Sequence, residues 1–317
     1  MSEEPDPPQP ASVARGSELL SAATLYGISP LELRARVIAQ SVSAGAHKSK
    51  RYGSSSQFAE HKVYAPGDDL RRLDWKAFAR MDRYFVRRYE DETALEVVII
   101  VDTSGSMAYA GGARGALSLA KLEAARTLAA SLAWIALHTG DAAGVTLFAA
   151  ANSEALPPRG RSSQLAAILD VLERAQAEGK SEFAAVLARV GEAVVRRSLI
   201  VVISDLIDAP LSALAPLGVL RRRGSDVIVL QTLDRDELDL PFDGVVRFED
   251  LEGDREMQVD VPLVREAYLE EMQRFLDDAA AACARLDVRW QLAPTDVSPV
   301  DILRRALHGH RLAGGDR

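Results

Sequence analysis

Two stretches of this chain place carboxylates and hydroxyls directly behind strongly apolar, β-branched runs. Residues 96–101 (EVVIIV) lead into Asp102-Thr103-Ser104-Gly105-Ser106-Met107, and residues 199–203 (LIVVI) lead into Ser204-Asp205-Leu206-Ile207-Asp208. The spacing Asp102-x-Ser104-x-Ser106 sets one carboxylate and two short hydroxyls on a tight turn, with Gly105 permitting close backbone approach. Such a group offers oxygen ligands only. That suits a hard cation such as Mg2+, which takes octahedral oxygen, keeps some waters and uses one or two protein carboxylates. Asp205 can be the second carboxylate. A third hydroxyl is available at Ser181, in Gly179-Lys180-Ser181-Glu182 at the start of a helical stretch. The set Asp102, Ser104, Ser106, Ser181 and Asp205 leaves one position open, which an Asp or Glu of a partner protein can fill. Each part also has an ordinary explanation: Asp, Ser and Gly behind a strand are common turn and N-cap residues, and Ser181 with Glu182 can simply cap its helix.

The elements that must position these residues are legible as an alternation of strands and helices from residue 94 onward. Strand patterns fall at 96–101, 143–148, 199–203 and 226–230, with a weaker one at 287–292. Helical patterns lie at 115–138, 161–177, 181–196, 210–223, 261–286 and 298–308. Continuous apolar strands alternating with helices predict a doubly wound, mostly parallel α/β sheet covered on both faces. In such a sheet ligands collect beyond the carboxyl ends of the strands, near the point where strand order reverses. A short antiparallel excursion is expected at 245–248 and 257–259, around Glu252-Gly253-Asp254. Gly111, Gly112 and Gly115 do not make a dinucleotide fingerprint and read as a mobile loop beside the rim.

Ahead of this alternation, residues 1–44 read as a disordered proline-rich leader and a helical N-terminal extension, with Ser29-Pro30 as a helix start. Residues 45–92 form a charged, aromatic-rich segment, and 93–317 the α/β domain. Within 67–92, Arg71, Arg72, Lys76, Arg80, Arg83, Arg87 and Arg88 alternate with Asp68, Asp69, Asp74, Asp82, Glu90, Asp91 and Glu92 around aromatic anchors such as Trp75, Phe78 and Tyr84. This composition fits a solvated face laced with ion pairs, or a docking surface.

Composition narrows the function classes. A formal net charge of −8 argues against a mainly electrostatic nucleic-acid binder. The single cysteine, Cys283, makes neither an internal disulfide nor a thiolate cluster, and reads as a small core residue on a long helix. The N-terminal MSEEPDPPQP has neither a basic n-region nor an apolar h-region, and no stretch reaches the roughly 20 apolar residues of a membrane span. A cytoplasmic protein without a transmembrane segment is expected.

The motifs together resemble a known family. Asp102-Thr103-Ser104-Gly105-Ser106 is similar to the first metal-site motif, D-x-S-x-S, of von Willebrand factor type A domains. The block Pro66-Gly67-Asp68-Asp69-Leu70-Arg71-Arg72-Leu73-Asp74-Trp75 with Ala79-Arg80, together with Ser204-Asp205, resembles the bacterial "domain of unknown function 58" family. Leu240-Pro241-Phe242 and Val246-Arg247-Phe248-Glu249-Asp250 also fit it. The resemblance implies a von Willebrand type A-like fold with a metal-ion-dependent adhesion site: Asp102, Ser104 and Ser106 as first ligands, Ser181 as the central hydroxyl and Asp205 as the last carboxylate. Threonine is usual where this chain has Ser181; serine keeps the oxygen but loses the methyl that restricts the rotamer. The resemblance further implies a non-enzymatic, metal-dependent protein-interaction module. It would hold Mg2+ (or Mn2+ or Ca2+) and work with a MoxR-type AAA+ ATPase, or its client, in assembly or maturation of other proteins.

Enzyme readings find less support. No G-x-S-x-G elbow is present, and His47, His61, His138, His308 and His310 do not follow strands. A haloacid-dehalogenase-like phosphatase needs a second Asp where this chain has Ser104. Gly179-Lys180-Ser181 lacks the preceding glycine of a phosphate loop, Arg174 standing there. Two alternatives stay open: a metal-dependent phosphoesterase using Asp102 or Asp208 as base, and a scaffold whose metal site is never filled.

Overall fold

The computed structural model describes residues 21–28, 30–47, 61–63, 78, 84–87, 94–112, 119–149, 154–194, 197–207, 209–253 and 255–310. Ser29, Asp208, Gly115 and nearly all of the Gly-Asp-Asp block lie outside them. The chain divides into two units, residues 1–47 with 95–317, and residues 48–94. In the second unit, β1 (His61–Val63) pairs antiparallel with β2 (Phe85–Arg87), and the rings of Phe78 and Tyr84 stack at 4.5 Å.

The first unit is built on a six-stranded sheet. It comprises β3 (Glu96–Asp102), β4 (Ala142–Phe148), β5 (Ala155–Arg159), β6 (Ser198–Ser204), β7 (Asp226–Gln231) and β10 (Arg289–Leu292), in spatial order β10-β7-β6-β3-β4-β5. All neighbours are parallel except β5, which pairs antiparallel with β4 at the edge. The strand patterns at 96–101, 143–148, 199–203, 226–230 and 287–292 all correspond to strands of this sheet. The strand that escapes the sequence is β5: its Pro157 and Pro158 donate no backbone hydrogen bond and are tolerated only because the strand lies at the edge.

Alternate residues of each strand feed opposite faces. Val97, Ile99, Val101, Val201, Ile203 and Ile228 pack under α2 (Leu31–His47), α3 (Lys121–His138), α4 (Gln164–Arg174) and α9 (Pro299–Ala306). Val98, Ile100, Ile200, Val202, Val227 and Val229 pack under α5 (Phe183–Ala193), α6 (Ala215–Arg222) and α8 (Val261–Arg285). Helix α3 is the central one. It is alanine-rich and buried nearly all round, and its Thr127 and Ser131 hydroxyls donate to carbonyls one turn back at 2.8 and 2.7 Å. Each fully buried leucine or isoleucine on these faces contributes about 1.5–3 kcal/mol. Helices α1 (Ala22–Tyr26) and α2 belong to this unit, with Leu25, Ala35 and Ile38 in its core.

Two further elements sit near the carboxyl edge. The short helix α7 (Arg235–Asp239) starts in a capping box: Asp234 accepts from the Asp236 N–H, and Glu237 accepts from the Asp234 N–H. A hairpin of β8 (Val245–Glu249) and β9 (Glu256–Asp260) matches the expected antiparallel excursion. Its base is set by an edge-to-face contact of Phe242 and Phe248 and by Arg265 of α8, which donates to the Leu240 and Phe242 carbonyls. The fold is a doubly wound α/β, a mostly parallel sheet with helices on both faces, as the alternation of strands and helices predicts.

Candidate functional site

Strands β3 and β6 are parallel neighbours with Val101 opposite Ile203, so the next residues of each emerge side by side at the carboxyl edge. Chain order reverses here, since β3 is followed by β4 on one flank while β6 lies on the other. Asp102 is buried. Its Oδ2 accepts the Ser204 hydroxyl at 2.6 Å, and its Oδ1 accepts the Ser104 N–H at 2.9 Å. Burial, and then the nearby Asp205 carboxylate, push the Asp102 carboxyl up to about 6, although hydrogen bonds from Ser204 and Ser104 oppose the shift. The Ser104 and Ser106 hydroxyl oxygens lie 3.2 Å apart.

Ser181 reaches this group through the backbone. Gly105 N–H donates to the Gly179 carbonyl at 2.8 Å, and Glu178 N–H donates to the Thr103 carbonyl at 2.9 Å. The segment ahead of α5 is thereby tied to the Asp102–Ser106 loop. Gly179 takes a left-handed backbone (φ +75°), which glycine adopts without steric cost, and the chain turns there into Lys180-Ser181. Ser181 does not cap α5. The cap position is Glu182, with no side-chain cap bond, and Ser181 Oγ is buried with no hydrogen-bond partner among the described residues. Thr232 Oγ1, just past β7, is in the same state.

Asp102, Ser104, Ser106 and Asp205 therefore stand at one edge, with the segment that carries Ser181 tied to it by backbone bonds at Glu178 and Gly179, but Asp205 has an occupant that spacing does not announce. Lys121, the first residue of α3 and fully buried, places its Nζ 2.7 Å from Asp205 Oδ2 and 2.7 Å from Glu237 Oε1. Burial alone would lower the Lys121 pKa, but the two carboxylates outweigh it and the ammonium is held charged. Glu237 is shifted upward by burial against the opposing pull of Lys121. Asp205 Oδ1 accepts the Ile207 N–H at 3.0 Å, and Leu206 between them has a positive φ of 59°, a conformation costing a non-glycine residue about 1–2 kcal/mol. The sequence does not announce Lys121: the helical pattern expected from residue 115 places it inside the helix, and only the structure begins α3 there, at the residue whose ammonium meets two carboxylates.

Two more features border the loop. The Gly111-Gly112 pair, expected to be mobile, is anchored: Gly112 N–H donates to Asp236 Oδ2 at 2.9 Å, and a Cβ on Gly111 would lie 1.9 Å from Asp234 Oδ1. The β8–β9 tip also touches the loop. Ser106 N–H donates to Glu252 Oε1 at 3.3 Å, and a Cβ on Gly105 would lie 2.3 Å from the Leu251 carbonyl oxygen, so only glycine fits.

The donor set fits a hard divalent cation. It provides a buried carboxylate, two hydroxyls in mutual contact and a buried hydroxyl lacking a partner among the described residues. Asp102, Ser104, Ser106 and Ser181 are the residues able to hold such an ion directly, with Asp205 contributing through lone pairs left over from its present bonds.

The model of the family described as "Protein of unknown function DUF58" matches residues 60–275. The chain belongs to this family. Uncharacterized protein Rv1480 of Mycobacterium tuberculosis and Uncharacterized protein Mb1516 of Mycobacterium bovis are each 28% identical over 263 residues, covering 81% of this chain and 78% of theirs. Among solved structures, a conserved hypothetical protein BatB from Bacteroides thetaiotaomicron is similar, with 15% identity, 70% of this chain and 100% of that one covered, and a TM-score of 0.45. An aerotolerance-related membrane protein from Bacteroides fragilis aligns with 18% identity, 68% and 98% coverage, and a TM-score of 0.44. In this DUF58 chain no helix among the described residues is long and apolar enough to cross a membrane.

Proposed function

We propose that this DUF58 chain is a non-enzymatic protein-interaction module whose carboxyl-edge site holds Mg2+, with Mn2+ or Ca2+ as substitutes. Asp102, Ser104, Ser106 and Ser181 hold the ion, and Asp205 supports it from the Lys121 pair. A partner's Asp or Glu completes the shell, and that partner is a MoxR-type AAA+ ATPase or its client. The observation that carries the reading is the buried Ser181 hydroxyl, without a partner among the described residues and two residues from Gly179, whose carbonyl the Gly105 N–H of the Asp102–Ser106 loop holds. Such a group costs about 1–3 kcal/mol unless something satisfies it. Lys121 reduces the net negative charge of the rim, which suits an ion that keeps several waters.

The test is a thermal-shift series in Mg2+ and in chelator, followed by a pull-down with a purified MoxR-type ATPase. Wild type should be stabilised by Mg2+ and should retain the ATPase only when Mg2+ is present, whereas Asp102→Ala should show neither effect. A wild type indifferent to Mg2+ would overturn the reading. So would Mg2+-dependent phosphatase activity that Asp102→Ala abolishes.

A further inference from the structure

Glu252 stands at the tip of the β8–β9 hairpin, 146 residues from Ser106, whose N–H it accepts at 3.3 Å. Its position is built rather than incidental. Five residue pairs hold the hairpin in register from Val245–Asp260 to Glu249–Glu256. Asp250 Oδ1 accepts the Glu252 N–H at 2.8 Å, shaping the turn. The Leu251 carbonyl presses on Gly105 so closely that no Cβ fits between them. At the base, Val261 N–H donates to the Gly244 carbonyl at 3.0 Å. The outcome is a carboxylate delivered to the Asp102–Ser106 loop at its half-exposed residue, Ser106, while Asp102 and Ser104 are buried behind it.

We propose that Glu252 is this chain's own acidic ligand for the cation, a cis-acting stand-in for the partner's Asp or Glu. The inference rests on the cation reading of the site. A carboxylate from the same chain needs no association step, so it outcompetes a weak acidic partner and yields only to one that also displaces the hairpin tip. The module is then closed by default, and partner engagement includes moving Leu251–Gly253 off Gly105.

Mn2+ alone is the probe, with the full chain, using electron paramagnetic resonance for affinity and proton relaxation enhancement for the number of exchangeable waters. Wild type, Glu252→Gln, Glu256→Gln and Asp102→Ala are compared, after confirming equal melting temperatures in chelator for the two hairpin variants. The expected result is about tenfold weaker Mn2+ binding in Glu252→Gln with a higher relaxation enhancement, as an extra water enters. Glu256→Gln, on the same hairpin, should match wild type. If Asp102→Ala abolishes binding while Glu252→Gln leaves affinity and water number unchanged, the Glu252 proposal fails and the cation reading stands. Equal weakening in Glu256→Gln also overturns it, since the effect is then one of general charge. Wild type that binds no Mn2+ overturns both.

Discussion

The Lys121 ammonium and the Asp205 carboxylate meet at 2.7 Å with neither exposed to solvent, and Glu237 bonds the same ammonium from α7. This pair joins the first turn of the central helix to the end of β6. It also determines how much negative charge the rim presents. An ammonium with two acceptors is satisfied, whereas either carboxylate alone would be a buried charge without compensation.

Removing the lysine cation therefore harms the fold itself. Lys121→Met should lower stability by about 3–5 kcal/mol, because Asp205 and Glu237 are left facing each other without a counter-charge. Urea denaturation in chelator measures it. Lys121→Met combined with Asp205→Asn should cost clearly less than the sum of the single changes, as expected for groups in one network.

Ser181→Ala should act with opposite signs in two buffers. Without divalent ions it removes a buried hydroxyl that has no partner among the described residues, and should be neutral or stabilising by about 1 kcal/mol. With Mg2+ it should shrink the stabilisation that the ion confers on wild type. Paired melting curves in chelator and in Mg2+ check both halves, and a loss of stability in chelator would contradict the placement of this side chain.

Gly105→Ala should loosen the hairpin. The added methyl would sit 2.3 Å from the Leu251 carbonyl oxygen, backbone that cannot swing aside as a side chain can. A cost of about 1–3 kcal/mol is expected, with faster amide hydrogen exchange across residues 245–260 and little change in β3 or β6.

Cys283 should be silent to thiol reagents in the native protein. It is fully buried on α8, and burial pushes its thiol up to about 11, so almost no thiolate is present at mildly alkaline pH. Titration with a chromogenic disulfide should show no reaction in buffer and one equivalent after denaturation.

The strands, most helices and the metal-ligand candidates are legible in the linear order of residues because each depends on short-range chemistry. Uninterrupted β-branched runs mark β3, β4, β6 and β7. Asp102, Ser104, Ser106 and Asp205 stand at the carboxyl ends of two of these runs, where the apolar pattern breaks into oxygen-bearing side chains. Strand β5 is hidden by its two prolines, and α7 by its length of five residues. Lys121–Asp205, Ser204–Asp102 and Ser106–Glu252 are contacts across 84, 102 and 146 residues. No periodicity encodes them, because they exist only once parallel pairing sets β3 beside β6 and the hairpin folds back over Gly105. Spacing is enough to nominate oxygen atoms. Which of them lie free, which are neutralised by an ammonium and which are covered by a neighbouring carboxylate depends on long-range packing, where burial and charge are set by residues distant in the chain.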